Sequence, residues 1–148
     1  MAPYGGLVVA ESADEALRND LDQSGVKWAV LGDSLRKEAE TAWRRVYGHA
    51  FLGRPRLRHG VRAEHEYLQQ RCDHYYIVPF STGVPGLPVH VLGQAIAAYE
   101  CHGPLIDLGL FCNAEFFVAP PDFTWTMVHT HENHGFGGPY FIRVDWIL

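Results

Sequence analysis

The sequence predicts an α+β fold: one domain over residues 1–148, with a mostly antiparallel sheet ending in a C-terminal β-hairpin and packed against three to four helices. Three observations point there. Helical spacing of apolar residues dominates the first third of the chain, notably over residues 33–50. Alternating or β-rich segments gather in the second half. The final segment, from Asp122 to Leu148, consists of two alternating runs joined by a glycine-rich connection. With 148 residues the chain is long enough to bury a core without disulfide or metal staples, and no repeat, low-complexity tract or linker divides it.

From the N-terminus, Ser12-Ala-Asp-Glu15 has the Ser-x-x-Glu form of a capping box. Ala13, Ala16, Leu17 and Leu21 then mark one helical face, and Gly25 ends it. Val26 to Leu31 reads as a short strand. Asp33 or Ser34 caps a second helix, whose inner stripe is Leu35, Ala39, Ala42, Trp43, Val46 and Ala50. Trp43 is placed to anchor that helix to the sheet. Gly53 to Gly60 reads as a loop, and a third helix runs from about Val61 to Cys72.

His74 to Val78 is a strand closed by Pro79, and Ser81 to Pro88, with two glycines and two prolines, is a loop. Leu92, Ala95, Ile96 and Tyr99 suggest a fourth helix over Val89–His102, ended by Gly103-Pro104. Leu105–Cys112 suits either a strand or a helix. Glu115–Ala119 is a strand, and Pro120-Pro121-Asp122 turns the chain. In Thr124–His131 alternation places Trp125, Met127, His129 and His131 on one face, where Trp125 and Met127 read as core, His129 as a hydrogen-bonded residue at the core edge and His131 as one nearer solvent. In Tyr140–Leu148 it groups Tyr140, Ile142, Val144 and Trp146, opposite Phe141, Arg143, Asp145 and Ile147.

Composition narrows the function classes. Hydrophobic content of 47% and charged content of 20% suit a soluble globular protein. No run approaches the roughly 18 apolar residues of a membrane span, and the N-terminus has no signal-peptide pattern, so a cytoplasmic location is expected. Three widely spaced cysteines without a Cys-x-x-Cys argue against a disulfide framework. The net charge of −5 divides unevenly: −4 over residues 1–35 (two bases, six acids), +5 over 36–71 (nine, four) and −6 over 72–148 (one, seven). The basic middle carries no aromatic-interleaved nucleic-acid motif. A protein or small-molecule partner is expected rather than nucleic acid or membrane.

Chemistry-bearing residues concentrate in His129-Thr-His131-Glu132-Asn-His134. Two histidines two apart on a strand project from one side, about 7 Å apart at Cα. His129 and His131, helped by His134, could therefore ligate zinc or another divalent transition metal. Glu132 would then be the general base of a metal-dependent hydrolase. The spacing departs from known zinc patterns, however. His131-Glu-Asn-His134 is one residue short of His-Glu-x-x-His. His129-Thr-His131 resembles the His-x-His of zinc-dependent deubiquitinase-like hydrolases, but Glu132, Pro139 and Ile142 stand where that pattern has Pro, Ser and Asp. The glycines of 135–138 precede a strand and not a helix, which argues against a phosphate cradle. Ser34 and Ser81 lack a nucleophile-elbow context. Cys72 with His74, and Cys101 with His102, are sequence neighbours only.

The segments Phe123-Thr-Trp125-Thr, Thr130-His131-Glu132 and Gly138-Pro139-Tyr140-Phe141 resemble the C-terminal signature of a small bacterial domain family of uncharacterised function. Trp43 and Phe51 correspond more loosely, and the longer Asn133–Gly137 segment departs from the pattern. The resemblance implies that Trp125, Thr130, His131, Glu132, Pro139 and Tyr140 matter together; it carries no activity to transfer. The first expectation is thus a non-enzymatic, partner-binding protein, of immunity type or similar, that needs no cofactor. Its binding residues would be Trp125, Thr130, His131, Glu132 and Tyr140. The hydrolase with its metal at His129, His131 and His134 is one alternative. A small-molecule fold with His131 and Glu132 at the rim of its pocket is another.

Overall fold

The computed structural model describes residues 13–53, 57–81, 83–85, 96–108, 115–130 and 138–147. Three helices and seven strands follow one another as α1 (Ala13–Gln23), β1 (Lys27–Val30), α2 (Asp33–Gly53), β2 (Arg58–His59), α3 (Val61–Leu68), β3 (His74–Pro79), β4 (Tyr99–His102), β5 (Phe116–Ala119), β6 (Trp125–His129) and β7 (Tyr140–Arg143). The strands form one sheet in the order β1-β4-β3-β5-β6-β7-β2. Every pairing is antiparallel. The architecture is the expected α+β arrangement. Among the described residues no helix is long and apolar enough to cross a membrane.

Alternation along the strands builds a core on each face of the sheet. Tyr75, Ile77, Tyr99, Cys101, Phe116, Val118, Trp125, Met127 and Phe141 point to one side, where Leu17 and Leu21 of α1 and Ala63 and Tyr67 of α3 cover them. Val78, Phe117, Ala119, Val128, Tyr140 and Ile142 point to the other, beneath α2. Trp43 fixes α2 there. Its ring stacks on Phe117 at 5.5 Å, and its indole Nε1 donates to Thr126 Oγ1 at 2.8 Å. That hydroxyl in turn donates to the Val118 carbonyl at 3.0 Å. The buried indole N–H and the buried hydroxyl are thereby both satisfied, as burial away from water demands.

The inner stripe of α2 rotates slightly from expectation. Tyr47 is fully buried, whereas Leu35 is 55% exposed. The Tyr47 hydroxyl donates to the Phe123 carbonyl at 2.6 Å, tying the helix to the β5–β6 turn. Leu35, in the first turn of α2, faces a groove that it lines together with Ala39, Tyr76 and Glu100.

Three element assignments change. Tyr99–His102 is strand and not the end of a helix, because Tyr99 and Cys101 are buried while Glu100 and His102 face outward. This period of two outweighs the helical spacing read from Leu92 to Tyr99; residues 89–95 of that segment lie outside the described residues. Arg58–His59, read as loop, forms a two-residue edge strand on β7. The last strand stops at Arg143, and Val144–Trp146 is a single 3-10 turn. The capping box cannot be followed, since Ser12 lies outside the described residues.

Candidate metal centre

The C-terminal hairpin forms as the sequence predicts, with Trp125 opposite Arg143 and Val128 opposite Tyr140. Its residues, however, are interior ones. Trp125 is 4% exposed and stacks on Phe141, on the α1/α3 side. Tyr140 packs edge-on against Phe51, beneath α2. Thr130 is buried as well. These three are packing residues on a two-sided core and offer no shared recognition surface. His131, Glu132 and His134 lie outside the described residues.

His129 shares a face with Trp125 and Met127, as alternation requires, but it sits deeper than the edge of the core. Its ring stacks on Phe116 at 4.7 Å with 14° between planes. Both ring nitrogens are buried without a hydrogen-bond partner among the described residues. Burial lowers its pKa to about 4, against a weaker opposing pull from Asp107. At neutral pH it is an uncharged imidazole in an apolar layer. Of the expected ligand set His129, His131 and His134, it is the one described member.

The sequence-adjacent Cys–His pairs do not form sites. Cys101 points into the α1/α3 core, away from His102. Its thiol is pushed up to about 12, first by burial and then by Glu100. Cys72 Sγ donates to the His74 carbonyl at 3.1 Å, and burial raises its pKa too. Thiols held protonated in this way are poor nucleophiles and poor ligands.

The outward faces of β3 and β4 instead bring together three donors. His74 and His102 are directly opposite across the β3–β4 pair, and Glu100 is opposite Tyr76. Side chains at the opposite positions of an antiparallel pair share a face at close range. Glu100 and His102, two apart on one strand, therefore project beside His74. The two imidazoles stack with centroids 4.2 Å apart and planes 17° from parallel. Both turn Nε2 toward one carboxylate oxygen: Glu100 Oε2 lies 2.6 Å from His74 Nε2 and 3.8 Å from His102 Nε2. One ligand atom from each of the three lies within 4.8 Å of the others. Ala29 of β1 lies opposite Glu100 and adds no bulk there. Lys27 lies opposite His102, on a flexible stem that can keep its ammonium in solvent.

No protein-family model matches the chain, and neither a curated protein nor a solved structure gives a significant match. Two imidazoles and one carboxylate make a donor set suited to zinc and its neighbours rather than to magnesium or calcium, which prefer all-oxygen shells. Around a tetrahedral ion with bonds of about 2.0–2.1 Å, donors stand roughly 3.3 Å apart. Rotamer shifts of about an ångström would close the cluster, and half-exposed side chains can make them. The helical spacing over residues 89–102 hides the Glu100-x-His102 pair in the sequence, so the site is not legible there. Read as a strand, the same pair has the one-face spacing that drew attention to His129 and His131.

Proposed function

We propose that this chain is a metal-binding protein that holds a divalent transition ion, zinc in character, between His74, Glu100 and His102. The observation that supports this reading is the convergence of three donor atoms from two paired strands within 4.8 Å. The strands supply positions that little else would distort: β4 is flanked by β1 and β3, and the Tyr99 hydroxyl on its reverse face is tied to Asp14 of α1. Three protein donors leave a coordination position for water or a ligand. The reading keeps the metal expected as an alternative from sequence and moves it to different residues. A partner-binding role through the hairpin would rest on His131 and Glu132, because Trp125, Thr130 and Tyr140 are inside.

Equilibrium dialysis of tag-free protein against zinc, followed by elemental analysis, tests the proposal. One equivalent should be retained by the wild type and by His129→Phe, and lost in His102→Ala. His102 is exposed, so its removal leaves the core intact. Zinc that stays bound in His102→Ala, or none bound by the wild type, would overturn it.

A further inference from the structure

Between the first turns of α2 and strands β3 and β4 lies a groove of about 230 Å³. Its floor and walls are apolar and aromatic, with Leu31, Leu35, Tyr76 and Phe123 among them, and its charged members are Glu38 and Glu100. Among the described residues no basic side chain lines it. Glu38 is exposed on α2 and has no ion-pair partner among the described residues. Phe123 contributes a second anomaly. It holds a left-handed backbone with φ 54°, a conformation that costs a non-glycine residue of order 1 kcal/mol or more and that collects at binding sites. Three contacts keep it there. Its N–H donates to the Pro120 carbonyl at 2.9 Å, its carbonyl accepts from Tyr47, and Asp122 Oδ1 accepts from the Thr124 N–H beside it.

Glu38, with no ion-pair partner among the described residues, and Glu100, which meets only the two imidazoles at its edge, are set among aromatic rings and are together complementary to a cation that carries apolar surface. The carboxylates supply charge, and the ring faces attract an ammonium through their quadrupoles. An anion would meet two like charges, and a purely apolar ligand would have to desolvate them. The volume lies below the roughly 300–1,000 Å³ of drug-sized pockets, which restricts the occupant to a small molecule. We propose that this groove binds a small organic ammonium ion, with Glu38 and Glu100 as its counter-charges and Tyr76 and Phe123 packing against its apolar body. The inference shares Glu100 with the metal reading but does not depend on it, because neither His74 nor His102 lines the groove.

Titration of the metal-free protein with 2-phenylethylamine and, separately, with the neutral 2-phenylethanol, followed by amide chemical shifts, tests the proposal. The amine should bind and perturb amides of the early α2 turns, Tyr76 and Phe123. The alcohol should bind roughly tenfold more weakly or not at all. Glu38→Gln, on the exposed face of α2, should weaken the amine roughly fivefold. Ala42→Phe, which fills the groove from the helix side, should abolish binding, whereas Val61→Ala, exposed on α3 across the sheet, should leave it within about twofold. Equal affinity for the alcohol, shifts that map elsewhere, an unchanged affinity in Glu38→Gln, or no amine binding at about 10 mM would each overturn it.

Discussion

His129→Phe should flatten the acid limb of the stability profile. In the folded chain His129 resists protonation down to a pKa of about 4, against an ordinary value of 6.5. The unfolded chain therefore takes up a proton at this residue over a pH range where the folded chain does not. Stability from the neutral ring is fully present above pH 6.5 and is lost as pH falls toward 4. Lowered from 6.5 to about 4, the pKa corresponds to about 3 kcal/mol at the limit, of which about 1 kcal/mol is lost between pH 7.0 and 5.5 and about 2 kcal/mol between pH 7.0 and 4.5. Phenylalanine keeps a planar ring against Phe116 and removes the titration. Urea unfolding of both proteins at pH 7.0, 5.5 and 4.5 gives the test. The difference in unfolding free energy between wild type and variant should shift in favour of the variant by about 2 kcal/mol over that range. Parallel profiles, agreeing within about 0.5 kcal/mol, would show that the imidazole is not buried uncharged and would refute the placement of His129.

Other outcomes follow from the same packing. Zinc at a hundredfold excess over its dissociation constant should stabilise the protein by about 2.7 kcal/mol, raising Tm by about 5–10 °C for a chain of this size; a His74→Ala, His102→Ala double variant should show no shift in calorimetry. Trp43→Phe removes the donor to Thr126 and leaves that side of α2 underfilled, so chemical denaturation should report a loss of about 1–3 kcal/mol. Gly103 has φ 146°, and a Cβ there would stand 2.9 Å from the Val26 Cα. Gly103→Ala should therefore cost about 1–3 kcal/mol in the same assay and broaden the amide signals of β1 and β4.

Much of the fold was legible because its signals are local and periodic. The stripe from Ala39 through Trp43 to Ala50 has a helical period, and the 125–129 and 140–143 runs have a period of two. Trp43 was correctly read as the anchor of α2, since one large aromatic on an otherwise small-residue stripe has few other uses. What escaped were features decided by neighbours. Tyr99–His102 spans four residues, too few for its alternation to outweigh helical spacing inherited from the preceding turns. Arg58–His59 is a strand only because Tyr140 and Phe141 pair with it. The donor cluster escaped for the same reason: His74 and His102 are 28 positions apart and meet only through sheet register. Exposed aromatic surface was expected at Trp125 and Tyr140 because alternation assigns residues to faces but does not reveal that both faces are covered. The groove was hidden likewise, since Leu35 fits the apolar stripe yet is half-exposed and lines the groove.

The central claim, that the metal belongs to the outward face of β3 and β4, is tested most directly by long-range ¹H–¹⁵N spectra of the histidine rings during zinc titration of tag-free protein. The ring nitrogens of His74 and His102 should move to metal-bound shifts together at one equivalent, while those of His129 remain where they are. Movement of His129 with His131 or His134, and none at His74 and His102, would contradict the assignment and return the metal to the hairpin.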